Sequence, residues 1–253
     1  MNYPVSFPET YFTKPDIGNC SDCRSRQLCL PFGLDSKELF LLERIVGRRQ
    51  RVARFQSLYR VGQPFQSLYA VHYGHFKTGQ MGIDGNERIT GFQMAGDILG
   101  LDGINGTFHE SNAVALEDAE VCEIPFLALE DLFCHVPELL HHFHRIMSLE
   151  ISREQQMMLF LGNVRAEQRF AKFLLNLAAR YAARGYSATE FQLRMSRSDI
   201  GNYLGLTIES ISRLLARFTK MELLQVDHRT VAIINPERIK LLAAGIERCS
   251  PLR

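Results

Sequence analysis

The sequence has no uncharged apolar run approaching the roughly 18 residues that a membrane helix needs, which excludes a spanning helix. Its start, Met1-Asn2-Tyr3-Pro4-Val5, lacks the basic-then-apolar layout of a secretory leader, so a reducing cytoplasm is the expected compartment. There is no glycine-rich phosphate loop, no nucleophile elbow, no paired catalytic carboxylates and no radical-type Cys-x3-Cys-x2-Cys run. An enzyme is therefore not expected. Long repeats and low-complexity stretches are absent too. What remains is a chain of 253 residues, 46% apolar and 23% charged, the profile of a soluble globular protein of one large domain or two ordinary ones.

Net charge is almost absent as well, at +1, but the balance conceals an asymmetry. Residues 163–253 hold 15 basic and 8 acidic side chains, a net +7, whereas residues 1–162 hold 14 and 20, a net −6. A basic C-terminal third behind an acidic body points to a polyanionic partner for that third alone.

Six cysteines are present, and three of them, Cys20, Cys23 and Cys29, fall within ten residues as Cys-x2-Cys-x5-Cys. In a reducing compartment clustered thiols point to metal rather than to disulfides. Three thiolates complete neither a tetrahedral zinc site nor an iron–sulfur cubane, so a fourth ligand has to come from Cys122, Cys134 or Cys249. The spacing matches neither common ferredoxin run, which leaves iron–sulfur, structural zinc and, behind them, free thiols open.

Ser36 to Val46 reads as a short helix with Ser36 as its cap and Gly47 as its stop. Short strands follow between Phe55 and Ile124, punctuated by Gly62-Gln63-Pro64, Tyr73-Gly74 and the hairpin signal Asp84-Gly85-Asn86. Many short strands with evenly spaced turns suggest a barrel or double-sheet roll. Pro137 then opens a long helix. Leu140, His144, Met147, Ile151, Glu154, Met158 and Leu161 recur at alternating steps of four and three, the seam of a two-stranded coiled coil and hence of a homodimer. The alternative is a single helix packed on its own domain. On a two-fold axis Glu154 would meet its own copy, and that repulsion would keep the dimer marginal. His135, His141, His142 and His144 crowd the same region and read as a solvated or interfacial helix face rather than a metal site.

Ala166 to Ala183 is amphipathic, with Phe170, Phe173, Leu174, Leu177 and Tyr181 on one face. Between Met195 and Phe218 a capped helix carrying Ile200 and Leu204 inward runs to a turn at Gly205. A second helix capped by Thr207 then carries Ile208, Ile211, Leu214 and Leu215 inward. That is a helix-turn-helix layout. Leu223–Val226 and Thr230–Ile234, bracketing Asp227-His228-Arg229, supply a β-hairpin wing. Arg reads guanine, Glu accepts from cytosine and Ser serves either base, and only the first turns of a recognition helix reach the groove floor. Glu209, Ser212 and Arg213 are therefore expected at base edges, and Arg197 and Arg217 at phosphates.

The Cys-x2-Cys-x5-Cys start, the roll and the long helix belong with one further run, Ile200-Gly201-Asn202-Tyr203-Leu204-Gly205-Leu206-Thr207 ahead of Glu209-Ser210-Ile211-Ser212-Arg213. Together they resemble the FNR/Anr branch of the CRP/FNR superfamily of oxygen-sensing regulators. Ile89-Thr90-Gly91-Phe92, Val121 to Phe126 and Cys29-Leu30-Pro31-Phe32 look like that branch too. The resemblance implies an α+β fold: a cysteine-rich segment (1–30), a cyclic-nucleotide-binding-like β-roll (31–136), a dimerisation helix (137–163) and a winged helix-turn-helix domain (164–253).

It also implies a 4Fe-4S cluster on Cys20, Cys23, Cys29 and Cys122, with Cys134 and Cys249 matching no ligand of the family, and a homodimer meeting through Met147, Ile151, Glu154 and Met158. Such a dimer binds palindromic double-stranded promoter sites of the TTGAT-N4-ATCAA kind, recruits RNA polymerase and regulates anaerobic genes. Oxygen breaks the cluster and DNA is released. The loop from Met81 to Arg88 and the 116–120 region lie near the family's polymerase-contact surfaces. Cyclic-AMP-binding members hold the phosphate with an Arg-Ser pair, whereas this chain reads Phe108-His109-Glu110-Ser111-Asn112, and Glu110 disfavours that ligand. The rival is a CRP-like regulator gated by another small ligand, with zinc bracing its N-terminus. Iron and sulfide analysis separates the two.

Overall fold

A computed structural model describes residues 20–47, 49–82, 85–161 and 164–246, with the backbone only for 157–161. Helix α1 (Ser36–Ile45) is capped by Asp35 rather than by Ser36. The Asp35 carboxylate accepts from the Lys37 and Glu38 amides while Glu38 accepts from the Asp35 amide, a reciprocal capping box. A carboxylate at that place also meets the positive end of the helix, which a serine hydroxyl does not. Leu39, Leu42 and Ile45 form its buried side.

Strands β1 (Arg49–Val52), β2 (Ser57–Tyr59), β3 (Ser67–Tyr73), β4 (His75–Met81), β5 (Glu87–Met94), β6 (Ile98–Leu99), β7 (Asn112–Ala115) and β8 (Ala119–Pro125) build the roll. They form two four-stranded sheets, ordered β1-β8-β3-β6 and β2-β7-β4-β5. Gly74 turns the chain from β3 to β4 at φ +89°, and a Cβ there would stand 2.5 Å from that of Ala119, so glycine alone fits. Within β8 the side chains alternate. Ala119 and Val121 enter a core with Val52, Val71, Phe76 and Leu99. Cys122 and Ile124 face the opposite side and a second core.

That second core joins Leu30 and Leu34 to Leu42, Leu68, Leu129, Leu132, Leu139 and Phe143. It draws on two helices, α2 (Phe126–His135) and α3 (Pro137–Leu161). Helix α2 was not foreseen; it buries Ala128, Leu129 and Leu132, a face too short to stand out in the sequence. The contacts divide the chain into two units, Met1–Phe76 with Phe92–Ser148, and Lys77–Gly91 with Leu149–Arg253.

The second unit holds α4 (Ala166–Ala183), β9 (Glu190–Gln192), α5 (Arg197–Leu204), α6 (Ile208–Lys220), β10 (Leu224–Asp227), β11 (Thr230–Ile233) and α7 (Pro236–Ala244). Phe170, Leu174, Ile200, Ile211, Phe218, Leu223, Val231 and Ile239 are buried there. Strands β10 and β11 make the expected hairpin, Leu224 opposite Ile233, and β9 adds a third strand that three residues of sequence did not announce. Among the described residues no helix is long and apolar enough to cross a membrane.

Candidate functional site

The thiol site is assembled from a loop and a strand. Cys20, Cys23 and Cys29 lie on a chain of successive turns, closed by amide bonds from Cys23 to Cys20, Arg26 to Cys23 and Phe32 to Cys29. Cys122 is fixed differently: it stands opposite Arg49 of β1 and Ala70 of β3, with hydrogen-bonded strands on both sides. All four thiols line one cavity of about 30 Å³, whose wall also includes apolar side chains such as Leu30, Leu42 and Ile124 and the polar Ser25, Arg26 and His72. None of the four is in a disulfide.

Their electrostatics belong together as well. Burial pushes the Cys20 thiol up to about 12, helped by the charges of Cys122, Glu43 and Cys23, while Arg49 opposes. Burial raises Cys29 too, with Cys20, Cys122 and Cys23 adding to it. Cys122 is raised by burial against the pull of Arg49. Cys20, Cys29 and Cys122, each raised in part by neighbouring thiols, are poised for a cation, which reverses the sign of those interactions. Among the described residues no group of three ligating side chains converges tightly enough for a single metal ion. Cys134 is exposed and turned to the Glu130 carbonyl of its own helix, and Cys249 lies outside the described residues.

Two histidines adjoin the thiols. His72 Nδ1 stands 3.7 Å from Cys23 Sγ. His142 Nε2 stands 3.0 Å from the Cys29 carbonyl oxygen. The reading of the helix histidines as a solvated or interfacial face passed over His142, although it shares the inward side of α3 with Leu139, Phe143 and Ile146. Elsewhere in the roll, His109 is buried and stacked on Tyr59 at 3.8 Å, edge-on to Phe65. Asp102 accepts from the Glu110 and Ser111 amides and from the Ser111 hydroxyl. That stretch carries a carboxylate and packed rings where a phosphate would need a cation.

The helix-turn-helix is built by its caps. Ser196 accepts from the Asp199 amide while Asp199 accepts from Ser196, starting α5. Gly205 ends it in the left-handed region at φ +63°, and Thr207 accepts from the Ser210 amide to start α6. From α4, Arg169 donates to the Leu204 carbonyl at 2.7 Å, a cation on the C-terminal end of α5. Ile211, Leu214, Leu215 and Phe218 are buried as the pattern requires. Ile208, expected inward, is 47% exposed, because it sits in the first turn of α6, before the helix side reaches the core.

Glu209 and Arg213 are exposed on α6, and Ser212 is half-buried. The backbone amide at the start of α6 and the Thr207 hydroxyl hold the Glu209 carboxyl below its usual range. Arg197 donates to Ser212 Oγ at 3.3 Å, which ties the two helices across the turn. Arg217 is paired with Glu167 of α4 at 3.0 Å. On α3, Met147 is half-buried, Ile151 is 55% exposed and Glu154 is exposed, while the Met158 side chain lies outside the described residues. Partial burial and then the charge of Glu150 raise the Glu154 carboxyl. The first turns of the helix thus pack into the core through Leu139 and Phe143, while Ile151 and Glu154 further along are exposed.

Comparison with known proteins extends over almost the whole chain. Residues 49–134 match the cyclic nucleotide-binding domain family and residues 168–242 the Crp-like helix-turn-helix domain family. The transcriptional regulatory protein btr of Bordetella pertussis is 45% identical over 235 residues, 93% of this chain and 97% of that one. The fumarate and nitrate reduction regulatory protein of Vibrio cholerae is 45% identical over 225 residues, 89% of this chain and 90% of that one. The chain belongs to the FNR-type regulators of the CRP/FNR superfamily. Among solved structures, FixK2 of Bradyrhizobium japonicum matches an FNR-type chain such as this with a TM-score of 0.72 and 28% identity, over 78% of this chain and 97% of that one. The α+β architecture of roll, long helix and helix-turn-helix is that of the superfamily, whose members are DNA-binding transcription regulators rather than enzymes.

Proposed function

We propose that this FNR-type regulator senses oxygen through a 4Fe-4S cluster held by Cys20, Cys23, Cys29 and Cys122. The gathering of these four thiols, three from a loop and one from a central strand, around one cavity carries the reading. The donor set is all sulfur, which suits iron–sulfur ligation. The segment that brings Cys20, Cys23 and Cys29 to the cavity is held by turns rather than by a ladder. When bound, such a cluster supplies a group that oxygen destroys.

The residues of this chain do the rest. Cys20, Cys23 and Cys29 tie the segment to β8. Met147, Ile151, Glu154 and Met158 meet a second copy along α3. Glu209, Ser212 and Arg213 of α6 read base edges in TTGAT-N4-ATCAA-like sites, with Arg197 on the backbone. Arg217 reaches a phosphate only by leaving Glu167. The dimer regulates anaerobic genes with RNA polymerase, in the cytoplasm. The alternative, a CRP-like regulator gated by another small ligand with structural zinc, has less support, since packed rings and the Asp102 carboxylate occupy the His109 stretch of the roll.

Anaerobic purification with iron and sulfide assays, then a DNA-shift assay before and after air, tests the reading. Near four irons and four sulfides per chain, with bleaching and loss of the DNA complex in air, is the expected result. Zinc in place of iron, with DNA binding indifferent to air, overturns it.

A further inference from the structure

The cysteine segment and the long helix meet at His142. Its Nε2 lies 3.0 Å from the Cys29 carbonyl oxygen, and a carbonyl only accepts, so Nε2 carries the hydrogen. The same carbonyl accepts from the Phe32 amide at 3.0 Å, which uses both of its lone pairs. The imidazole packs against the Phe32 ring with centroids 5.1 Å apart. Arg145, three residues further along the helix, sits 5.3 Å over that ring. His142 Nδ1 is buried without a hydrogen-bond partner among the described residues, so the ring's polar anchorage there is Cys29. One ligand candidate, one aromatic ring and two helix side chains thus form a single contact.

We propose that His142 is a positioning residue that couples the place of Cys29 to the pose of α3, and through it to dimer formation. This rests on the reading of Cys29 as a cluster ligand. A helix transmits such a constraint along its axis: Ile151 is nine residues beyond His142, about 13 Å at 1.5 Å per residue. With Cys29 held, the hydrogen bond and the Phe32 stack hold the first turns of α3. When Cys29 moves, the carbonyl leaves His142, and the seam further along loses its fixed presentation.

The test measures iron and sulfide per chain and the dimer dissociation constant by sedimentation velocity, anaerobically and after air, for wild type, His142→Leu, His142→Gln and Arg145→Ala. In wild type the two dissociation constants differ by roughly 5–150-fold, the usual span of coupling between sites. In His142→Leu that ratio falls toward one while the iron stays. His142→Gln keeps an N–H donor within reach of the carbonyl and restores the ratio, and Arg145→Ala gives an intermediate value. Loss of iron in His142→Leu, with both iron and ratio kept in His142→Gln, also supports the proposal, because the contact then positions the ligand itself. A wild-type ratio in iron-loaded His142→Leu overturns the coupling and leaves the cluster reading intact. So does iron-loaded His142→Gln that behaves as His142→Leu does. Wild type without iron overturns the cluster reading, and the coupling falls with it.

Discussion

The cysteine segment and the helix-turn-helix are built on opposite principles. The segment from Cys20 to Leu34 has turns and a three-residue 3-10 turn, and its fastenings to other elements include side-chain bonds such as Ser21 to Glu43 and His142 to Cys29. The helix-turn-helix has a side-chain cap at the start of each helix, a left-handed glycine at its turn and a core that includes Phe170, Ile200, Ile211 and Phe218. Reading a base edge demands a side chain fixed to a fraction of an ångström, so the reader is preorganised. On the proposed reading the segment reports the loss of a bound group; Leu30 and Leu34 anchor it in the core, while its cysteines hang on turns that can shift locally.

The largest effect tests the anchored half of the thiol site. Cys122→Ser should abolish iron binding and anaerobic DNA binding together; retained iron in that variant breaks the ligand assignment. Phe218→Ala should cost the second unit about 3–5 kcal/mol, since it empties a fully buried site. Thermal unfolding reads that loss, and the iron content of the folded fraction should not change. If iron falls as well, the two regions are less separate than their architecture suggests.

Arg213→Ala should weaken specific DNA binding by about 1–3 kcal/mol and relax preference at a guanine. An equal loss on every sequence would make Arg213 a phosphate contact instead. The smallest effect concerns Glu154. Its carboxyl is raised by partial burial and by Glu150, so its negative charge is present above the raised pKa and is lost as pH falls through it. The repulsion between two copies fades in the same direction. Between about pH 7 and about pH 5 the wild-type dimer should therefore strengthen, within about 1 kcal/mol for an exposed pair, and Glu154→Gln should flatten the profile. A flat wild-type profile would remove Glu154 from the seam.

The reader was legible in the sequence because its determinants are local. Gly205, Thr207 and the spacing of Ile211, Leu214 and Leu215 each act within a few residues, and the bounds of α4 match the amphipathic stretch. Local signals misled where two candidates stood side by side, as with Asp35 and Ser36, or where a helix end outran its core, as with Ile208. The thiol site was only half legible. Spacing gathers Cys20, Cys23 and Cys29, but Cys122 joins them through the register of β8 against β1 and β3, which no short window contains. There the family resemblance supplied what spacing left open. His142 was hidden for the same reason, since its partner is a backbone carbonyl 113 residues away.

The setting of Cys122 in a ladder between two strands has one more consequence. The ladder holds its sulfur from both sides, while Cys20, Cys23 and Cys29 hang on turns. On the proposed cluster reading, a chain that lost the group would keep this corner of the site, and refilling would begin there without refolding of the roll.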